Sequence, residues 1–234
     1  MIHARVAQPV CAVLSSIFRK AGGMAGWDAP GLEALEICGI LKRGSSMQLD
    51  DVALAHIARA CPALRSLRLC SSTLVVEMDY PPFELVGRVT AAGLSEIARL
   101  CPALQLLDFG DACDDRYSPF VIHGRLVLDE GALVLPAVRT LRAHLAGTAE
   151  LHCPTLEELD VSGSVLLSSI NLASIARLPR LRILAVRRCG LNADAVRALL
   201  QLPGIARLDA SDNPLKTAEK KNLKSSFPAC VIDK

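Results

Sequence analysis

One spacing of apolar positions runs through most of the chain. It reads proline, any residue, apolar, two residues, apolar, one residue, apolar. It occurs at Pro30 (PGLEALEI), Pro62 (PALRSLRL), Pro102 (PALQLLDF), Pro136 (PAVRTLRA), Pro154 (PTLEELDV), Pro179 (PRLRILAV) and Pro203 (PGIARLDA). A shortened copy, PACVIDK, closes the chain at Pro228. The three apolar slots are filled in every full copy. The last two slots lie two residues apart, which is the strand period, so they share one face. Leu67 and Leu69 are expected to point inward, and Ser66, Arg68 and Cys70 outward. One such strand cannot bury its apolar face alone. Copies laid side by side make a parallel sheet over a continuous core. Each fully buried Leu or Val then contributes about 1.5–3 kcal/mol before entropy is subtracted.

Between the phrases the period becomes helical. Asp50–Ala60 opens on an acid suited to capping and sets Val52, Ala55, Ile57 and Ala58 on one side. Thr90–Leu100 and Asn192–Leu202 repeat the design, with Thr90 and Asn192 as caps. Leu215–Phe227 reads as a basic final helix. The prolines are 32, 40, 34, 18, 25, 24 and 25 residues apart. The 18-residue interval has no room for a helix, so 145–152 is expected to run extended.

A period of 20–30 residues with an L-x-x-L-x-L core resembles the leucine-rich repeat family. The phrase helix–C-P-x-L is similar to its cysteine-containing subclass, known from the repeat domains of F-box proteins and their relatives. The resemblance covers about residues 30–230. It implies an α/β solenoid: a curved horseshoe fragment with its parallel sheet on the concave face and short helices and loops on the convex face. The expected divisions are a capping helix and joint at 1–28, about seven repeats at 29–227 with insertions at 71–89 and 110–128, and a closing edge at 228–234.

The insertions change the picture from fold to function. Tyr80–Val89 (YPPFELVGRV) and Tyr117–Leu126 (YSPFVIHGRL) share the pattern Y-x-P-F-x-h-x-G-R-h, where h is aliphatic, and hold both tyrosines of the chain. Tyr, Phe and Arg suit interface anchors. Insertions in repeat proteins commonly fall on one face. Tyr80, Phe83, Arg88, Tyr117, Phe120 and Arg125 are therefore candidate partner-binding residues, in loops expected to form short hairpins. The other reading is that the two loops pack on one another as a small satellite core.

The outward strand positions form a second candidate. They carry charges of both signs. Arg68, Asp108, Arg142 and Asp160 are singled out, with Arg142 expected beside Asp108 and Asp160. Such a strip is either a solvated face or a mixed-charge surface for a protein or peptide.

Composition narrows the classes. A net charge of +2 argues against a general nucleic-acid or membrane surface. No apolar run reaches the ~18 residues of a membrane span. Cys61, Cys101 and Cys153 precede a phrase proline, and Cys230 fills an apolar slot. Cys189 takes the position that the family gives to Asn or Cys, filled one repeat later by Asn213. The nine cysteines are thus expected as reduced, buried thiols rather than a disulfide framework. No C-x-x-C pair, phosphate loop or nucleophile elbow occurs. His144, His152 and Cys153 offer no complete Cys–His constellation. Asp111, Asp114 and Asp115 read as a solvated loop. No catalytic residue, cofactor, metal or small-molecule substrate is expected.

The expected role is a non-enzymatic protein–protein interaction scaffold in the cytoplasm, a subunit or adaptor in a larger assembly. Two alternatives stand beside it. The resemblance suggests a ubiquitin-ligase substrate receptor of F-box-like type, which would carry an F-box domain where this chain has residues 1–28. The acid-free, Arg-containing residues 1–27 suggest a mitochondrial transit segment, and with it an assembly factor or complex subunit.

Overall fold

The computed structural model describes residues 30–39, 51–71, 89–109, 127–128, 131–145, 150–164, 169–228 and 230–232. The described residues form an α/β protein whose strands are mostly parallel, in two compact units: residues 1–126 and 127–234. The capping segment 1–28, the 41–48 loop and the aromatic insertions lie outside the described residues, apart from a few positions at their ends.

The first unit holds strand β1 (Ala34–Gly39), helix α1 (Asp51–Ala60), strand β2 (Ser66–Ser71), helix α2 (Ala91–Leu100) and strand β3 (Leu106–Asp108). The order β1-β2-β3 is parallel throughout. The register sets Leu35 against Leu67 and Leu67 against Leu107. All three are buried, as the phrase demands. One position on, Glu36, Arg68 and Asp108 stand in the same register on the other face.

Helix α2 starts as its sequence predicts. Thr90 is extended, and its hydroxyl accepts from the Gly93 amide at 3.2 Å. Asp51, in the first turn of α1, completes the junction. Its carboxylate accepts from the Thr90 amide and the Thr90 hydroxyl, both at 2.8 Å. A Cβ built on Gly93 would land on that carboxylate, so glycine is what lets α1 approach so closely. One expectation for α1 is corrected. Val52 is 59 % exposed, while Leu54, Ile57 and Ala58 are buried. The helix turns its buried side through Leu54 rather than Val52, because Asp51 is held at Thr90. Asp50 lies outside the described residues.

The second unit holds strands β4 (Val127–Leu128), β5 (Ala132–Val134), β6 (Thr140–Arg142), β7 (His144–Leu145), β8 (Glu150–His152) and β9 (Glu158–Asp160). Helix α3 (Ser169–Ala176), strand β10 (Ile183–Ala185), helix α4 (Ala193–Leu200), strand β11 (Arg207–Asp209), helix α5 (Thr217–Ser226) and strand β12 (Cys230–Val231) follow. The order β6-β9-β10-β11-β12 is parallel. Leu141, Leu159, Leu184, Leu208 and Cys230 face each other in register, each at most 5 % exposed. Within the short interval, β8 runs extended and pairs parallel with β5, while residues 146–149 lie outside the described residues. Strand β4 also pairs parallel, with β7. That pairing is not the hairpin expected from the second insertion, though most of that loop lies outside the described residues.

Candidate functional site

The outward face of β9, β10 and β11 is the best-defined polar surface among the described residues. Two rows cross it. The lower row is Thr140, Glu158, Ile183 and Arg207, and the upper row is Arg142, Asp160, Ala185 and Asp209. Ala185 is the smallest side chain in the upper row. Above it lies an open hollow of about 130 Å³ lined by both rows.

Local sequence fixes the two aspartates. Each opens the pattern Asp-apolar-Ser. The Asp160 Oδ1 accepts from the Ser162 amide at 2.9 Å, and the Asp209 Oδ1 accepts from the Ser211 amide at 3.1 Å. The Ser211 hydroxyl adds a bond of 2.6 Å to the same oxygen. These Asx turns tie down one oxygen of each carboxylate. The other turns toward Arg187. The Arg187 guanidinium stands 3.6 Å from the Asp160 Oδ2 and 3.8 Å from the Asp209 Oδ2. Its Nε donates to the Ser162 hydroxyl oxygen at 3.3 Å, and its amide donates to the same oxygen at 3.2 Å. One cation thus spans two acids on either side of Ala185. Arg187 is nearly half exposed, so each ion pair is worth about 0–1 kcal/mol.

The turns behind this face share one geometry. Gly163, Arg188 and Asp212 have φ of +77°, +54° and +60°. Each is followed by a buried side chain: Ser164, Cys189 or Asn213. Two of the three carry left-handed backbone without being glycine, at a cost of order 1 kcal/mol each. Arg188 and Asp212 offset part of it by pairing at 3.4 Å. Asn213 satisfies most of its turn. Its Oδ1 accepts from the amides of Cys189 and Leu191, and its Nδ2 donates to the carbonyls of Val186 and Ala210, all within 3.1 Å. Cys189 does less, its thiol reaching the Val161 carbonyl at 3.3 Å and the Arg187 carbonyl at 3.4 Å.

Of the residues singled out from sequence, four are described. Arg68 stands opposite Asp108 in register, and their charged atoms are 4.0 Å apart, a long pair. Asp108 is buried, whereas Arg68 is exposed. Arg142 stands opposite Asp160. Arg187 reaches Asp160 as well as Asp209, from one strand over and two positions on. Sequence reasoning compared only residues directly opposite each other. Long side chains also reach the diagonal neighbour, and that offset would have found Arg187. Tyr80, Phe83, Arg88, Tyr117, Phe120 and Arg125 lie outside the described residues.

The thiols follow the slots assigned to them. Cys61, Cys101, Cys153, Cys189 and Cys230 are reduced and buried. The Cys101 thiol donates to the Cys61 carbonyl at 3.3 Å. Burial pushes the Cys153 thiol up to about 12 and the Cys189 and Cys230 thiols up to about 11. A nucleophilic thiolate is therefore disfavoured at neutral pH. Cys153 faces the Leu133 carbonyl at 3.9 Å, while His152 is exposed and stands 3.5 Å from Glu150. Among the described residues no group of three His, Cys, Asp or Glu side chains is arranged to hold a metal ion. No described helix is long and apolar enough to cross a membrane.

A scan against protein-family models and a search of curated proteins each returned no match.

Proposed function

We propose that the chain is a leucine-rich repeat solenoid of the cysteine-containing subclass and works as a non-enzymatic scaffold that binds a protein partner. It is a subunit or adaptor of a larger assembly. The observation that carries this reading is the outward face of β9–β11. Its acids are pre-set by Asx turns, tied to Arg187, and arranged around a shallow hollow whose floor is Ala185. Turn bonding fixes these side chains before any partner arrives, which lowers the ordering cost of association. A wide, shallow, mixed-charge face suits a protein surface better than a small molecule, which favours deep apolar pockets. The paired aromatic loops around Tyr80 and Tyr117 form a second contact region in the same proposal, with Phe83, Arg88, Phe120 and Arg125 as anchors.

The test is affinity capture from the source cells with the intact chain as bait, read by quantitative mass spectrometry. One variant bait carries Arg142→Glu and Arg187→Glu. Another carries Tyr80→Ala, Phe83→Ala, Tyr117→Ala and Phe120→Ala. Circular dichroism checks that each is folded. A partner lost from the folded face variant supports the reading, and one lost from the folded loop variant assigns the loops. A partner retained by both baits removes both surfaces from consideration.

A further inference from the structure

The lower row of the same face carries charges that no other described residue engages. Glu158 and Arg207 both stand in register with Ile183, one on each side. All three are exposed, Ile183 by 37 %. Their neighbours are already engaged. Asp160 and Asp209 share Arg187, and Glu157 pairs with Arg139 at 3.7 Å. Neither the Glu158 carboxylate nor the Arg207 guanidinium has an ion pair or hydrogen bond among the described residues. The row therefore reads acid, aliphatic, base, with both charges open to solvent.

Spacing then selects the partner's secondary structure. Neighbouring strands lie about 4.8 Å apart, so Glu158 and Arg207, two strands apart, are separated by roughly 9.6 Å along the row. In a helix, residues i and i+7 share a face and are about 10.5 Å apart, with i+3 and i+4 between them. In an extended chain, same-face residues are separated by about 6.7 or 13 Å, and neither fits. We infer that this row binds a partner α-helix laid across β9–β11, carrying a base at i, an aliphatic residue at i+3 or i+4, and an acid at i+7. The base meets Glu158, the aliphatic side chain meets Ile183, and the acid meets Arg207. The small Ala185 in the row above leaves room for the helix's flank. This inference rests on the scaffold reading above and adds the partner's chemistry to it.

The test uses the intact chain and four helix-stapled peptides, followed by fluorescence anisotropy. The first has Lys, Leu and Glu at i, i+4 and i+7. The second replaces the Lys by Glu, so that both ends are acidic. The third keeps the first peptide's composition but moves its acid to i+5, off the shared face. The fourth presents Lys, Leu and Glu in an unstapled, proline-interrupted segment. The first peptide is expected to bind the natural chain about tenfold more tightly than the other three. A Glu158→Arg variant is expected to invert the order of the first two, because both ends of its row are then basic. This gain of binding cannot come from unfolding. Equal affinities for the first three peptides, tightest binding of the extended segment, or no inversion by Glu158→Arg would each overturn the inference. Capture from cells separates the two levels. If the natural partner is lost on Ile183→Asp while the peptides fail, only the helix inference falls. If the natural partner ignores the face, the scaffold site falls with it.

Discussion

The two faces of β9–β11 are one residue apart in sequence and answer different physical demands. Leu159, Leu184 and Leu208 form a row with at most 1 % exposure and fill their slots in the strand phrase. Asp160, Ala185 and Asp209, each the next residue along, form a row of two acids and a gap, spanned by Arg187. The buried row is held by area and packing density and tolerates little change. The outer row is held by turn bonds and exposed ion pairs, which contribute little to stability. The difference teaches that conserving the fold and conserving the surface are separable here. Substitutions on one face should act on folding, and those on the other on binding.

The strongest way to break that separation is from inside. Leu184→Ala is expected to lower unfolding free energy by about 2–5 kcal/mol, since Leu184 is fully buried between two other leucines of the ladder. Urea denaturation reads it. Asn213→Ala comes next. It leaves the Cys189 and Leu191 amides and the Val186 and Ala210 carbonyls short of a partner. A loss of roughly 2–3 kcal/mol is expected in the same assay. Gly93→Ala tests the first unit's junction, where the added methyl must displace Asp51. A loss of about 1–3 kcal/mol is expected, smaller but not abolished in an Asp51→Ala background, because the carboxylate is then gone while the Cβ at position 51 would still lie 2.9 Å from the added methyl.

A subtler test uses pH. The Cys153 thiol titrates at about 12 in the folded protein against an ordinary 9.0. A raised folded pKa means the stabilising contribution is complete below pH 9 and is lost as pH climbs toward 12. The advantage of the natural chain over Cys153→Ala should therefore shrink by about 1 kcal/mol per pH unit above 9. The smallest effect is on the outer face. Arg187→Ala should change unfolding free energy by no more than about 1 kcal/mol, because both ion pairs are partly exposed.

The buried face was legible in the sequence because strand geometry forces it. Apolar residues two apart share one face once the segment is a strand, so Leu67, Leu107, Leu159 and Leu184 could be named in advance. The helix starts at Thr90 and Asn192 were legible for a similar reason, since orphan amides call for a side-chain acceptor. The Asp51–Thr90 clasp was not, because it joins residues 39 positions apart. Only the packing of α1 on α2 shows that Gly93 makes room for it. Arg187 was not singled out, since its partners lie on the diagonal. Val52 misled because a helical count alone cannot tell which of two adjacent stripes a distant carboxylate will fix.

The central claim is that the outer face of β9–β11 binds while its inner face folds. Ile183→Asp tests it most directly, with two readings on one protein: its urea midpoint and its affinity for the captured partner. The account predicts a cooperative transition with an unfolding free energy lowered by no more than about 2 kcal/mol and an affinity at least tenfold weaker. An unchanged affinity in a folded variant would contradict it.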